Sequence, residues 1–236
     1  MRCDRHCQAL GRHHAECAQV RSSPVTEQRA AERSAARFVF CGLTCGGAYD
    51  AAATAFAAEW DAQPAPTDLH DLVKRFFGPG RTADIGCGSG RDAGWLAANG
   101  FPTVGYDPSE GLLAQARASH PAVTFEMAAL PELHGIAEAS FDNVLCETVI
   151  MHLARDAIAP AVRRLIAILK PDGVLALSWR VEQADRRDER GRLYSAFGRD
   201  LLVGALAGAK ILLDRELTSP SSGRKIHRIV ARRGVA

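Results

Sequence analysis

The sequence predicts a three-layer α/β fold around a mainly parallel sheet, and three observations carry that prediction. Strand-like and helix-like segments alternate from residue 81 onward, the pattern of a sheet covered on both faces. A glycine turn, Asp84-Ile-Gly-Cys-Gly-Ser-Gly90, follows the first of these strands, and a second strand-ending carboxylate, Asp107, comes 23 residues after Asp84. The last two strands are joined by Ser219-Pro-Ser-Ser-Gly223 with no helix between them, so they form an antiparallel hairpin.

Residues 49–60 are Ala-rich, and Tyr49, Ala52, Ala53, Phe56 and Trp60 share one face at helical spacing, which reads as an amphipathic helix. A Pro-bearing link precedes a short helix from Leu69 to Phe77, which Gly78-Pro-Gly80 ends. The alternation then runs strand 81–85, helix 91–99, strand 102–106, helix 109–118, strands 123–127 and 141–147, helix 157–169, strand 173–179, helix 200–207, and strands 209–216 and 225–232. Ser109 signals one helix start, and Asn99-Gly100 and Lys170-Pro-Asp-Gly173 signal helix stops. Ile158, Val162, Leu165, Ile166 and Leu169 line one side of helix 157–169, where Pro160 is tolerable only near the first turn.

A chain of 236 residues, 47% apolar and 24% charged, has the composition of an ordinary globular protein with one catalytic domain, placed here at 48–236. Residues 1–47 carry seven Arg against four acids, +3, which with the whole chain's +2 leaves −1 for residues 48–236. A nearly neutral folded part argues against a nucleic-acid partner and for a small molecule. No apolar run reaches the length of a membrane span, and the start lacks the apolar core of a secretory signal. The expectation is a cytoplasmic protein with no membrane partner, a monomer or homodimer. Cys3, Cys7, Cys17, Cys41 and Cys45 cluster before residue 48, near His6, His13 and His14. Their spacings do not make a paired zinc knuckle, so residues 1–47 read as a poorly ordered or non-native extension, with no metal expected.

A glycine turn alone can serve nicotinamide, flavin or other nucleoside ligands. A dinucleotide fingerprint puts its third glycine three residues beyond the second, and Arg91 stands there. Asp84, just before the turn, would crowd a pyrophosphate and suits a ligand that carries an ammonium and a sulfonium.

Together with Tyr106-Asp107-Pro-Ser109, Ala128-Ala-Leu-Pro131, Phe141-Asp-Asn-Val-Leu-Cys146-Glu147 and Leu169-Lys-Pro-Asp-Gly173, this turn resembles the class I S-adenosylmethionine-dependent methyltransferases over residues 48–232. The resemblance implies a Rossmann-like three-layer sandwich with a seven-stranded sheet whose last strand is antiparallel. It implies S-adenosylmethionine as cofactor, with Asp84 beside its charged groups and Gly86, Gly88 and Gly90 beneath its methionine part. Cys87 is a small filling side chain within that turn rather than a nucleophile. Asp107 is expected to accept both ribose hydroxyls, with Pro108 and Ser109 alongside, while Ala129 and Leu130 flank adenine. Cys146 and Glu147 fall at the next strand end, near the sulfonium.

Methyl transfer from a sulfonium is an in-line displacement, so the protein's main task is alignment in a site screened from water. Glu147 and His152 are the candidate catalytic groups; His152 could be a base, or could equally pack or cap where the strand leaves for its helix. Tyr49, Trp60 and Arg180 are candidate acceptor contacts, with Trp179 and Tyr194 as further possibilities. The charged run 182–194 could recognise an anionic acceptor, although such runs are usually solvated surface. The Arg-rich stretch 224–233 reads as outward-facing strand residues. Rival readings are a nicotinamide-dependent oxidoreductase and a non-catalytic regulator that keeps the cofactor fold.

Overall fold

The structure, a computed structural model, describes residues 49–235. The Cys-rich leader, and the readings attached to it, lie outside these residues. Two helices come first, α1 (Ala53–Asp61) and α2 (Thr67–Phe76). The alternation follows as β1 (Thr82–Ile85), α3 (Arg91–Ala98), β2 (Thr103–Asp107), α4 (Glu110–Ser119), β3 (Thr124–Met127), β4 (Phe141–Cys146), α5 (Arg155–Ile168) and β5 (Leu169–Arg180). A small hairpin, β6 (Arg186–Arg187) with β7 (Leu193–Tyr194), precedes the closing pair β8 (Lys210–Thr218) and β9 (Lys225–Arg232). No helix among the described residues is long and apolar enough to cross a membrane.

The main sheet has the order β3-β2-β1-β4-β5-β9-β8. Its first five strands pair in parallel, and β9 runs antiparallel to both neighbours, as the helix-free connection requires. Side chains alternate across this sheet with the two-residue period of a strand. Val144 and Cys146 of β4, with Leu175 and Leu177 of β5, face Ile158, Val162 and Leu165 of α5. Leu145, Val174 and Ala176 face the other way, under Leu69, Leu72 and Val73 of α2 and Leu96 of α3. Both faces are therefore covered, and the loops at the C-terminal ends of the strands are left to form a site.

Four local features differ from the sequence reading. Helix α1 begins at Ala53 rather than at Tyr49, and Asp50 instead accepts hydrogen bonds from Ser109 Oγ (2.6 Å) and Gly111 N (3.0 Å) at the start of α4. Strand β5 starts early because Leu169 already pairs with Phe141, ahead of a register shift. Pro160 lies inside α5, beyond the first turn, and leaves the carbonyl of exposed Asp156 without a helical donor. Residues 200–207 form no α-helix: a 3₁₀ turn at Arg199–Leu202 gives way to further turns, consistent with Gly204 and Gly208 in the segment. Leu202, Ala205 and Leu206 still reach the main core, so the apolar spacing was read correctly and the backbone type was not.

Candidate active site

The glycine turn leaves β1 and is tied to β2, where Gly86 N and Cys87 N donate to Tyr106 O at 2.7 and 3.0 Å. Gly86 and Gly88 have φ of +77° and +54°, and a Cβ on either would meet a side chain above it: Val149 at 2.4 Å and the Trp60 ring at 2.7 Å. Only bare backbone fits there. Gly90 instead faces inward against Phe125 and Ala116, and Cys87 packs with the same cluster, as a filler should.

Asp107 ends β2 beneath this turn. Its Oδ2 accepts from Gly88 N (3.0 Å) and its Oδ1 from Ser109 N (2.9 Å), so both oxygens keep lone pairs for further donors. Burial pushes its carboxyl up to about 6 even though the two N–H groups pull the other way. Asp84 is more exposed to this conflict. Its Oδ2 is buried with no hydrogen-bond partner, and burial, then the charges of Asp92 and Asp107, push its pKa well above the ordinary carboxylate value. Ser89 Oγ, in the same turn, is also buried and unpartnered. An acceptor and a hydroxyl left unsatisfied together are what a zwitterionic amino-acid group would satisfy.

At the end of β4, Glu147 receives a hydrogen bond from Arg228 Nη2 at 2.8 Å, and Arg228 Nη1 reaches Asp68 of α2, also at 2.8 Å. This corrects the reading of the C-terminal arginines as outward-facing: Arg228 is 1% exposed. The signal was present in the strand period, since Ile226, Arg228 and Val230 share parity and the other two are buried apolar residues. Burial raises the Glu147 pKa while Arg228 opposes it. The chain leaves this strand end through Thr148, at φ +55°, held by Ser178 O (3.2 Å) and Ser178 Oγ (3.1 Å). A β-branched residue in that region stores strain beside the site.

Several sequence candidates lie elsewhere. Cys146 and Leu130 pack into the main apolar core, so only their backbones reach the rim, while Ala129 and Pro108 are half-buried there. Ser109 spends its hydroxyl on Asp50 and on capping Leu112 N (3.2 Å). Trp179 is a core residue, stacked between Phe197 (5.3 Å) and His227 (4.5 Å). Met127, which pairs in register with Asp107, is 51% exposed, a rim position the sequence reading passed over.

An aromatic cover lies over the turn. Trp60 stacks on Phe56 at 5.6 Å, and Tyr49 meets Phe56 at 4.9 Å. The charged run 182–194 divides into two parts. Arg186, Arg187 and Glu189 are exposed, as expected for solvated surface, but Arg192 turns inward over Phe56 (4.8 Å) and Tyr49 (5.6 Å), anchored to Asp188 at 2.7 Å. His152 joins the cover from below, with Nδ1 2.7 Å from Leu193 O and Nε2 3.4 Å from the Tyr49 hydroxyl. A carbonyl oxygen only accepts, so Nδ1 carries the proton and Nε2 the lone pair. Burial pulls the imidazole down to about 4, which makes it neutral and weakly basic at neutral pH.

Residues 83–177 match a family described as a methyltransferase domain. Over these residues the chain is similar to methyltransferase domains. Curated relatives of this domain include a trans-aconitate 2-methyltransferase from Methylobacterium nodulans, 35% identical over 45% of this chain and 42% of that protein. A ubiquinone biosynthesis O-methyltransferase from Bradyrhizobium diazoefficiens is 31% identical over 42% of this chain and 39% of that protein. The chain thus spans about two fifths of the length of these curated relatives. The fold matches a Burkholderia thailandensis 1,6-didemethyltoxoflavin-N1-methyltransferase, crystallised with that compound and S-adenosylhomocysteine, with a TM-score of 0.60, 22% identity and coverage of 94% and 99%. The site residues fit S-adenosylmethionine by their chemistry: an orphaned carboxylate oxygen for an ammonium, and a strand-end carboxylate for hydroxyls. Arg91, at the third-glycine position, opens α3 and donates to Trp60 O at 3.2 Å, so the dinucleotide fingerprint is not completed.

Proposed function

We propose that this protein transfers a methyl group from S-adenosylmethionine to a small-molecule acceptor. The observation that carries the reading is the buried, unpartnered Asp84 Oδ2 beside a turn that admits no side chain, within a matched methyltransferase domain. When bound, the cofactor supplies a methyl carbon on a sulfonium, so the acceptor's lone pair forms the new bond as the C–S pair returns to sulfur. The chain's residues hold and screen. Asp84 would take the ammonium and Asp107 would take ribose hydroxyls on its remaining lone pairs, beside the turn of Gly86 and Gly88. Tyr49, Phe56 and Trp60 exclude water above the turn.

His152 braces this cover rather than drives the reaction: its proton is fixed on Leu193 O, and its low basicity makes it a poor proton acceptor. Glu147, neutralised by Arg228, contributes a fixed oxygen at the strand end. A small acceptor rather than a nucleic acid is supported by the formal −1 of residues 48–236.

Calorimetry with S-adenosylhomocysteine tests the reading. Saturable binding is expected, and Asp107→Ala should weaken it about tenfold or more through loss of charge-assisted hydrogen bonds. An intact protein that takes up none of the compound would overturn the proposal.

A further inference from the structure

An opening lies where the end of β5 meets the start of β9. It is a cleft of about 510 Å³, lined by Arg180 at the end of β5, Glu182 on the arm into β6, Arg186 of β6, Arg224 just before β9 and Lys225 at its start. Four cationic side chains and one carboxylate share this space, and the ion pairs around it leave charge over. Arg186 is matched by Glu182, which it grips with two bonds of 3.0 and 3.1 Å. Lys225 is matched by Glu216. Arg180 and Arg224 are in no ion pair among the described residues. Arg224 is exposed, whereas Arg180 is half-buried and so partly stripped of the water that would otherwise compensate its charge.

Tyr194 holds the heads of Arg180 and Arg186. Its ring, 2% exposed, is faced by the guanidinium of Arg186 at 4.1 Å, of Arg180 at 5.5 Å and of Arg192 at 5.7 Å. Arg180 Nη1 also donates to the Tyr194 hydroxyl at 3.4 Å. Three guanidinium groups on one tyrosine repel each other, and among the described residues only Glu182 and Asp188 pair with them. Such a platform is preorganised for a planar or tetrahedral oxyanion, which a guanidinium fork recognises geometrically. The same ring meets His152 at 4.7 Å, and His152 meets Tyr49 of the cover, so Tyr194 links Arg180 of the cleft to the screened site.

We propose that this cleft holds a carboxylate or phosphate group of the methyl acceptor, making the acceptor an anionic small molecule anchored by Arg180 and Arg224. This rests on the methyltransferase reading above, which supplies the reaction. The cleft supplies the substrate class.

The test uses the full chain saturated with S-adenosylhomocysteine, whose uptake is measured in the same samples. Citrate and inorganic phosphate are titrated at about 0.15 M salt, where loose surface attraction is screened, and the arginine Nε–H resonances are followed. Saturable shifts in Arg180 are expected. Arg180→Gln and Arg224→Glu should each weaken them about tenfold, the loss of one charge-assisted contact. Arg224 is exposed, so its variant keeps the fold if Arg180→Gln does not, and Arg232→Glu on the same strand should change nothing. Citrate shifts without phosphate shifts would assign a carboxylate, and the reverse a phosphate. A second arm follows labelled methyl transfer to a panel of small molecules. Turnover should favour anionic acceptors and be inhibited by the bound anion in competition with the acceptor alone. Absence of saturable shifts while S-adenosylhomocysteine still binds would overturn the cleft and leave the methyltransferase reading standing. Turnover of neutral acceptors that Arg224→Glu leaves untouched would overturn it as well. Failure to bind S-adenosylhomocysteine would instead sink the underlying reading.

Discussion

The two ends of this rim carry opposite imbalances of charge. At β1 and β2, Asp84 is buried among acids, with Asp92, Asp107 and Glu147 all raising its pKa and no hydrogen-bond partner for one oxygen. At β5 and β9, Arg180 and Arg224 are in no ion pair among the described residues, and Arg180 lies beside an arginine-ringed tyrosine. A folded protein tolerates buried charge when it is paired, so an unpaired group at a rim marks a place that a ligand of opposite sign completes. The acidic end calls for a cation and the basic end for an anion, which matches a cationic methyl donor meeting an anionic acceptor. Arg228 lies under the acidic end and keeps it from being more negative still, because its guanidinium spans Asp68 and Glu147.

Removing that buried cation should have the largest effect. Arg228→Ala leaves two poorly exposed carboxylates facing each other, a change of the kind that costs about 3–5 kcal/mol. Urea denaturation would read it as a lowered midpoint, and adding Asp68→Asn and Glu147→Gln should restore much of the loss. Equal midpoints for wild type and Arg228→Ala would show that the triad carries no structural charge balance. A smaller change of opposite sign is expected at the unpaired acid. Asp84→Asn keeps the shape and deletes the charge, so the ligand-free protein should gain about 2 kcal/mol at pH 8. Its affinity for S-adenosylhomocysteine should fall about tenfold or more, since the ammonium loses its counter-charge. A variant that is less stable yet binds as well as wild type would break the contrast between the two ends.

These two ends were not equally legible in the sequence. The acidic end is written in contiguous runs: Asp84 to Gly90 is one turn, and Asp107 follows at the end of the next strand, so spacing alone brings them together. The basic end is assembled from β5, the arm before β6 and the turn into β9, and no local pattern joins Arg180 to Arg224. The run 182–194 showed its charge but not its fold, because two-residue strands are too short to display a period. Arg228 was legible in part: its parity with Ile226 and Val230 pointed inward, while its charge suggested the surface. Its partners, 160 and 81 residues away, come only from the sheet topology. The fold class is legible because alternation and one helix-free connection set which strands run parallel and which antiparallel. The order of the strands is implied by the family resemblance and not by that pattern. The misread segment, 200–207, is where apolar spacing and glycine content disagree.

The acidic end also has a pH signature that the basic end lacks. Asp107 titrates at about 6 in the ligand-free protein, against 3.8 for an ordinary aspartate, because burial favours its protonated form. In the free protein this group's contribution to stability is therefore present at low pH and is lost as pH rises through about 6. Ligand binding runs the other way. Ribose hydroxyls donate best to the ionised carboxylate, so affinity is full above pH 6 and weakens below it, with a proton taken up from solvent when ligand leaves. Between pH 7 and pH 5 the affinity for S-adenosylhomocysteine should fall about tenfold, or about 1.4 kcal/mol, as the pH drops a unit below the Asp107 value. Calorimetry in two buffers of different ionisation heat would read both the affinity and the proton count near pH 6. The same titration on Asp107→Asn should lose the component centred there, even though that variant binds more weakly throughout. An unchanged profile in Asp107→Asn would mean that the titrating group is not the strand-end carboxylate, and the acidic end would then owe its ligand preference to Asp84 alone.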